Sequence, residues 1–238
     1  RMVKPLSKAS GVRGKALLVT DPGVRAAGIV DKALDALSSG SIGCVVYDRV
    51  TADSGSGLIA EAAEELKRGN ADVVVGLGGG SSLDTAKAVA ALATNPGSIL
   101  DYVGLHKVKN RPLPVIAIPT AAGTGSEVTQ FTVITDHAQR RKVVIGGPQV
   151  APSHALLDPE LVANLPAGLV GATAMDALTH AVESVISTFA SPFTDGLALQ
   201  AIRMIAANLP FALIGGVIEL PFSWYETFCL EQRFGFLA

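Results

Sequence analysis

Histidine, cysteine and aromatic residues are scarce in this chain. Among 238 residues there are four histidines, two cysteines and one tryptophan, and aromatics make up 5%. Cys44 and Cys229 lie far apart with no CxxC spacing. They support neither a disulfide framework nor a zinc–cysteine site, and fit a reducing compartment. Charged residues are few at 17% and nearly balanced at net −2, which gives no footprint for nucleic acid or an anionic membrane. The densest basic cluster, Arg140-Arg141-Lys142, is too short for more than a basic turn. The longest apolar run, Leu209–Phe222, falls short of a bilayer span and contains Glu219. No apolar signal segment follows the opening RMVKP. A folded, cytoplasmic protein with no nucleic-acid or membrane partner is expected.

What is present is a repetition of short β-rich runs and Ala-rich helical ones. KALLVT at 15–20 and GCVVY at 43–47 read as strands, with helices over 24–37 and 58–68. DVVVGL at 72–77 is continuously apolar, as in a strand buried on both faces of a parallel sheet. A helix over about 82–93 and a strand over 114–119 follow. The alternation predicts an α/β fold, a parallel Rossmann-like sheet with flanking helices. Residues 131–135 and 142–145 predict a β-hairpin beside that sheet. Beyond Asp158-Pro159 only helices are expected, over 169–187 and 195–208. The predicted domain boundary lies near residue 155, between an α/β half, 1–155, and a helical half, 156–238, with atypical composition from 211.

The sharpest local signal is GLGGGSSLDTAK at 76–87, straight after the buried strand. Gly78, Gly79 and Gly80 allow a tight turn, and the helix start offers unpaired N–H groups to a pyrophosphate. Ser81 and Asp84 read either as ligand contacts or as a capping box serving the helix. Asp84 with Lys87 reads equally as a structural i,i+3 pair. A second polar loop, PTAAGTGSE at 119–127, brings Thr120 and Thr124 to the end of the next strand. Asp21 ends the first strand, where a carboxylate accepts a ribose 2′-hydroxyl and repels a 2′-phosphate; the bland alternative is an Asp-Pro-Gly turn. In MDALTHAVE at 175–183, Asp176 and His180 share a helix face, either as ligands of one divalent ion or as an ordinary hydrogen-bonded pair.

In order and spacing, GGGSSLDTAK, PTAAGTGSEVT, ALLDPEL and ATAMDALTHAVES resemble the iron-containing (group III) alcohol dehydrogenases, from about Lys15 to Pro210. The resemblance implies a domain binding NAD, with NADP as an alternative, then a helical domain holding Fe²⁺ or Zn²⁺. It implies hydride transfer between a small alcohol or aldehyde and nicotinamide, and a homo-oligomer is expected. By resemblance, Gly79, Gly80 and Ser81 belong to the pyrophosphate loop, and Thr120 and Thr124 to the second cofactor loop. Lys142 matches a basic cofactor-side position, Asp21 the ribose contact, and Asp176 and His180 the first two metal ligands.

The pattern also breaks. The family adds two later histidines as ligands, and none follows His180 here; His106, His137 and His154 match no ligand. After Pro210 the resemblance is expected to stop, and seven of the twelve aromatics fall in 211–238. Truncation at both ends is therefore expected, with apolar faces such as that of Leu197–Ile205 left uncovered. Three readings follow: a metal-dependent alcohol dehydrogenase, an inactive dinucleotide-binding remnant or assembly protein, and a metal-free relative of the maleylacetate-reducing type.

Overall fold

Lys15–Val19 (β1), Gly43–Tyr47 (β2), Val73–Gly78 (β3), Val115–Pro119 (β5) and His154–Ala155 (β8) form one parallel sheet in the order β2-β1-β3-β5-β8. The computed structural model describes residues 14–163 and 165–224, the stretch 209–224 by backbone alone. Gly104–Leu105 (β4), Phe131–Asp136 (β6) and Arg141–Gly146 (β7) make a second sheet in the order β4-β7-β6, so the predicted hairpin gains a third strand. The helices are Pro22–Ala26 (α1), Ile29–Ser39 (α2), Ser56–Gly69 (α3), Gly80–Leu92 (α4), Ala167–Ile186 (α5) and Pro192–Trp224 (α6).

The main sheet is parallel because its central strands are apolar on both faces: β3 and β5 are buried throughout. One face packs Ile59, Ala62 and Leu66 of α3 with Ala86 and Val89 of α4, against Leu17 and Val74 of the sheet. The other packs Val30, Ala33 and Leu37 of α2 against Leu18, Val75 and Ile116. The chain leaves β1 toward β2 on one side and returns to β3 on the other. The carboxyl ends of β1 and β3 therefore flank the point where strand order reverses, where open α/β sheets bind ligands.

The described residues fall into two compact units, one up to Thr120 with Gly125–Leu161, the other Ala121–Thr124 with the residues from Val162 on. Residues 156–161 stay with the sheet because Leu156 donates its N–H to the Ala117 carbonyl at 2.9 Å, and Leu156 and Leu161 pack on the α2-side core. In the second unit, Ala121–Thr124 lies against α5: a Cβ on Gly123 would clash with the Thr173 carbonyl oxygen.

That unit buries little. Ala181 and Ala198 are buried, while Ile186, Phe189 and Phe193 are 75%, 91% and 77% exposed. On α6, Leu197 and Met204 share a side and are exposed, and Leu199, on another side, is exposed as well. α6 runs past the predicted stop at Asn208 and through Pro210, since a proline costs a helix one bond and one clash without forbidding helix on both sides. Residues 225–238, which carry part of the aromatic-rich tail, lie outside the described residues. Among the described residues no helix is long and apolar enough to cross a membrane.

Candidate functional site

The glycine turn joins β3 to α4 directly. Gly78 has φ +151°, a conformation L side chains rarely adopt, and a Cβ there would meet the Ser82 hydroxyl at 2.5 Å and Asp21 Oδ2 at 3.0 Å. Gly79 is the N-cap residue of α4, and no side chain caps the helix. This corrects the capping-box expectation for Ser81 and Asp84. The helix begins at Gly80, so Ser81 is already inside it, and its hydroxyl turns away to donate to the Ala52 carbonyl at 2.9 Å. Among the described residues, a Cβ on Gly79 would meet nothing within 4 Å. An uncapped helix start beside open space is a place for a phosphate.

Asp21 closes one side of this turn. It is the N-cap of α1, its Oδ1 accepting the Val24 N–H at 3.0 Å, while its Oδ2 accepts the Ser82 hydroxyl at 3.0 Å. Thr120, buried at the end of β5, donates its N–H to the Gly78 carbonyl at 3.0 Å. Asp21, Gly78 and Thr120 thus gather at three neighbouring strand ends. Thr124 belongs to the second unit.

A small polar pocket of about 80 Å³ adjoins the first turn of α4, and its walls include Ser54, Ser81, Asp84, Thr135 and Lys142. The Lys142 ammonium lies 3.5 Å from Asp53, both side chains being largely exposed. Asp84 faces the pocket from a network of its own. Its Oδ1 receives the Lys87 ammonium at 2.9 Å and the Ser126 hydroxyl at 2.5 Å, and its Oδ2 the Val133 N–H at 2.9 Å. Lys87, its side chain wholly excluded from solvent, also donates to the Ser126 carbonyl at 3.0 Å and to the Phe131 carbonyl. Burial lowers the Lys87 pKa below the ordinary lysine value, with the Asp84 charge and hydrogen bond opposing it. The geometry supports the structural reading for Lys87, which ties α4 to the 126–131 loop, while Asp84 joins that tie to β6 and also lines the pocket.

Asp176 and His180 stand on α5 in the second unit, with Nε2 and Oδ1 3.8 Å apart and both side chains about half exposed. Among the described residues no third histidine, cysteine, aspartate or glutamate joins them in a metal-sized group. An apolar cavity of about 730 Å³ lies in the same unit, its walls including Gly123, Val170, Thr173, Ala177, Met204 and Ile205. No acid, base or histidine is among its described lining residues.

The model of iron-containing alcohol dehydrogenase matches residues 2–159, and the C-terminal model of the Fe-containing alcohol dehydrogenase family matches residues 170–216. The chain belongs to the iron-containing alcohol dehydrogenase family. The match begins ahead of Lys15 and runs past Pro210, where the motifs alone placed the limits of resemblance. Relatives include a choline dehydrogenase of Bacillus subtilis (strain 168), 43% identical over 205 residues, 85% of this chain and 51% of that protein. An NAD-dependent methanol dehydrogenase of Bacillus methanolicus is 40% identical over 202 residues, again 85% of this chain and 53% of the other. Among solved structures, the sulfoacetaldehyde reductase of Bifidobacterium kashiwanohense in complex with NAD⁺ aligns with a TM-score of 0.81 at 32% identity, over 90% of this chain and 56% of that one. The chain spans about half the length of the relatives it matches.

Within this iron-containing alcohol dehydrogenase chain, Asp176 and His180 are two possible metal donors that no third joins among the described residues, fewer than the three or four protein groups a catalytic divalent ion takes. Sequence reasoning passed over two residues at the strand ends. Thr20, next to Asp21, carries a fully buried hydroxyl with no hydrogen-bond partner among the described residues, and the Ser82 hydroxyl donates to Asp21. A threonine at the end of β1, in the place that Thr120 occupies on β5, was the available signal for the first.

Proposed function

We propose that this chain binds NAD(H) across the carboxyl ends of β1, β3 and β5 and serves hydride transfer between a small alcohol or aldehyde and nicotinamide. The observation that carries this reading is the uncapped start of α4 beneath the open space at Gly79, at the point of strand-order reversal. The pyrophosphate lies on the N–H groups of Gly80 and Ser81, where the helix dipole favours it. Asp21 meets the adenosine ribose and repels a 2′-phosphate, which makes NAD the preferred cofactor over NADP. Thr120 and Lys142 add further polar contacts from the same unit. Asp176 and His180 would supply two donors to a divalent metal, iron by family and zinc as the alternative, whose contribution would be Lewis-acid polarisation of the alcohol oxygen. The relatives' names, which include methanol and choline dehydrogenases and a sulfoacetaldehyde reductase, support a small polar alcohol or aldehyde as substrate.

The second reading is an inactive dinucleotide-binding protein, favoured by the two-donor metal pair. Mixing the chain with NADH and a short-chain aldehyde, with and without Fe²⁺ or Zn²⁺, separates the two. Metal-dependent NADH oxidation supports the dehydrogenase; saturable NADH binding without oxidation leaves only the cofactor function. A homo-oligomer in the cytoplasm is the proposed setting, the exposed Phe189 and Phe193 offering apolar contact area. A monomeric mass in sedimentation at micromolar concentration would remove that part of the proposal.

A further inference from the structure

Carboxylates stand around the glycine turn where the proposed reading puts a phosphate. Asp21 lies against Gly78, Asp84 lines the polar pocket beside Ser81, and Asp53 pairs with Lys142, another lining residue of that pocket. Among the described residues lining the pocket, Lys142 is the one cation, and its ammonium is already 3.5 Å from Asp53. The second positive charge comes from below. Lys87 reaches Asp84 at 2.9 Å from the side away from solvent, and its remaining hydrogens are spent on the Ser126 and Phe131 carbonyls. With its side chain wholly buried, it cannot touch a ligand.

A hydrogen-bonded tie between helix and strand does not require a charge at that position. Neutral side chains can join α4 to β6, and burying an ammonium carries a desolvation penalty that neutral donors avoid. The lowered Lys87 pKa reflects that penalty. What a charge does there, and an amide cannot, is cancel the field of Asp84 at the pocket. Potentials in a concave site of low dielectric act strongly on an incoming anion.

We infer that Lys87 is a charge-balancing positioning residue, which neutralises Asp84 from inside the fold so that the pocket beside the glycine turn admits an anionic ligand. The inference rests on the dinucleotide reading above. It extends that reading to a residue that never contacts the cofactor.

The test is fluorescence titration with NADH of the full chain, its K87Q variant and the D84N/K87Q double variant, each at low and high salt. Glutamine keeps a hydrogen-bond donor for the network and drops the charge. K87Q should weaken NADH binding on the order of tenfold at low salt and less at high salt. The double variant, with both charges removed, should bind several-fold more tightly than K87Q. Wild-type affinity in K87Q, or a double variant weaker than K87Q, would show a structural tie only and overturn the inference. If thermal unfolding shows K87Q unfolded, the double variant decides alone: NADH binding within about tenfold of wild type supports charge balance, and a greater loss contradicts it. Failure of the folded wild-type chain to bind NADH is a different result: it removes the dinucleotide reading, and this inference with it.

Discussion

Lys87 and Asp84, one turn apart on α4, meet at 2.9 Å in a network that also holds the Val133 N–H and the Ser126 hydroxyl. One short helical segment thereby fixes both the start of β6 and the loop before it. Removing one member of a buried pair costs about 3–5 kcal/mol, because the other charge is left uncompensated. Lys87→Met should therefore lower stability in urea unfolding by about 3 kcal/mol, with the Ser126 and Phe131 carbonyls also losing a donor. A loss under about 1 kcal/mol would mean that the network is slack.

Two adjacent glycines should respond oppositely. Gly78→Ala forces a side chain into φ +151° and against Ser82, so it should cost about 1–3 kcal/mol. Gly79→Ala meets open space and should leave the unfolding midpoint unchanged. Paired denaturation curves check this; equal losses would contradict the geometry of the turn.

Stability should fall in alkali. Burial pushes the Cys44 thiol from 9.0 up to about 11, and burial with the hydrogen bond to Glu61 pushes Tyr47 from 10.0 up to about 12. The unfolded chain releases these protons at the lower values. The stability they contribute is whole below pH 9 and is lost as pH rises through the folded values, between 9 and 12. Lys87 has the opposite sign: with its folded pKa lowered, its contribution grows toward the ordinary lysine value of 10.5 and opposes the fall. Urea midpoints taken across this range should decline, and Cys44→Ala should flatten the first part of the decline. A flat wild-type profile would contradict this account.

The Asp176–His180 pair should bind a divalent ion weakly. Calorimetric titration with Zn²⁺ should give a Kd above about 10 μM, abolished by His180→Ala, because two half-exposed donors replace only part of the ion's hydration. Tight binding would show that further donors join the site.

The sheet and the glycine turn were legible in the sequence because their signals are local. DVVVGL is apolar at every position, and the glycines follow at once, so the strand-to-helix turn needed no knowledge of the rest of the chain. The role of Asp84 was not legible. Its partners Ser126 and Val133 stand far along the chain and meet it only once β6 is laid beside α4. The same holds for Ser81: its spacing to Asp84 fits a capping box, and only the bond to Ala52 shows where its hydroxyl goes. The length of α6 was missed for a different reason, since Pro210 is a local stop signal that the surrounding helix overrides.

The most direct test of the central claim, that the start of α4 receives the cofactor's pyrophosphate, is NADH titration of wild type against Gly79→Val. The valine Cβ stands in open space with extended backbone angles, so the fold should be kept while the approach to the helix start is blocked. The account predicts saturable binding by wild type and at least about a hundredfold weaker binding by the variant, with unchanged unfolding midpoints. Equal affinity in the two proteins would place the cofactor elsewhere and contradict the account.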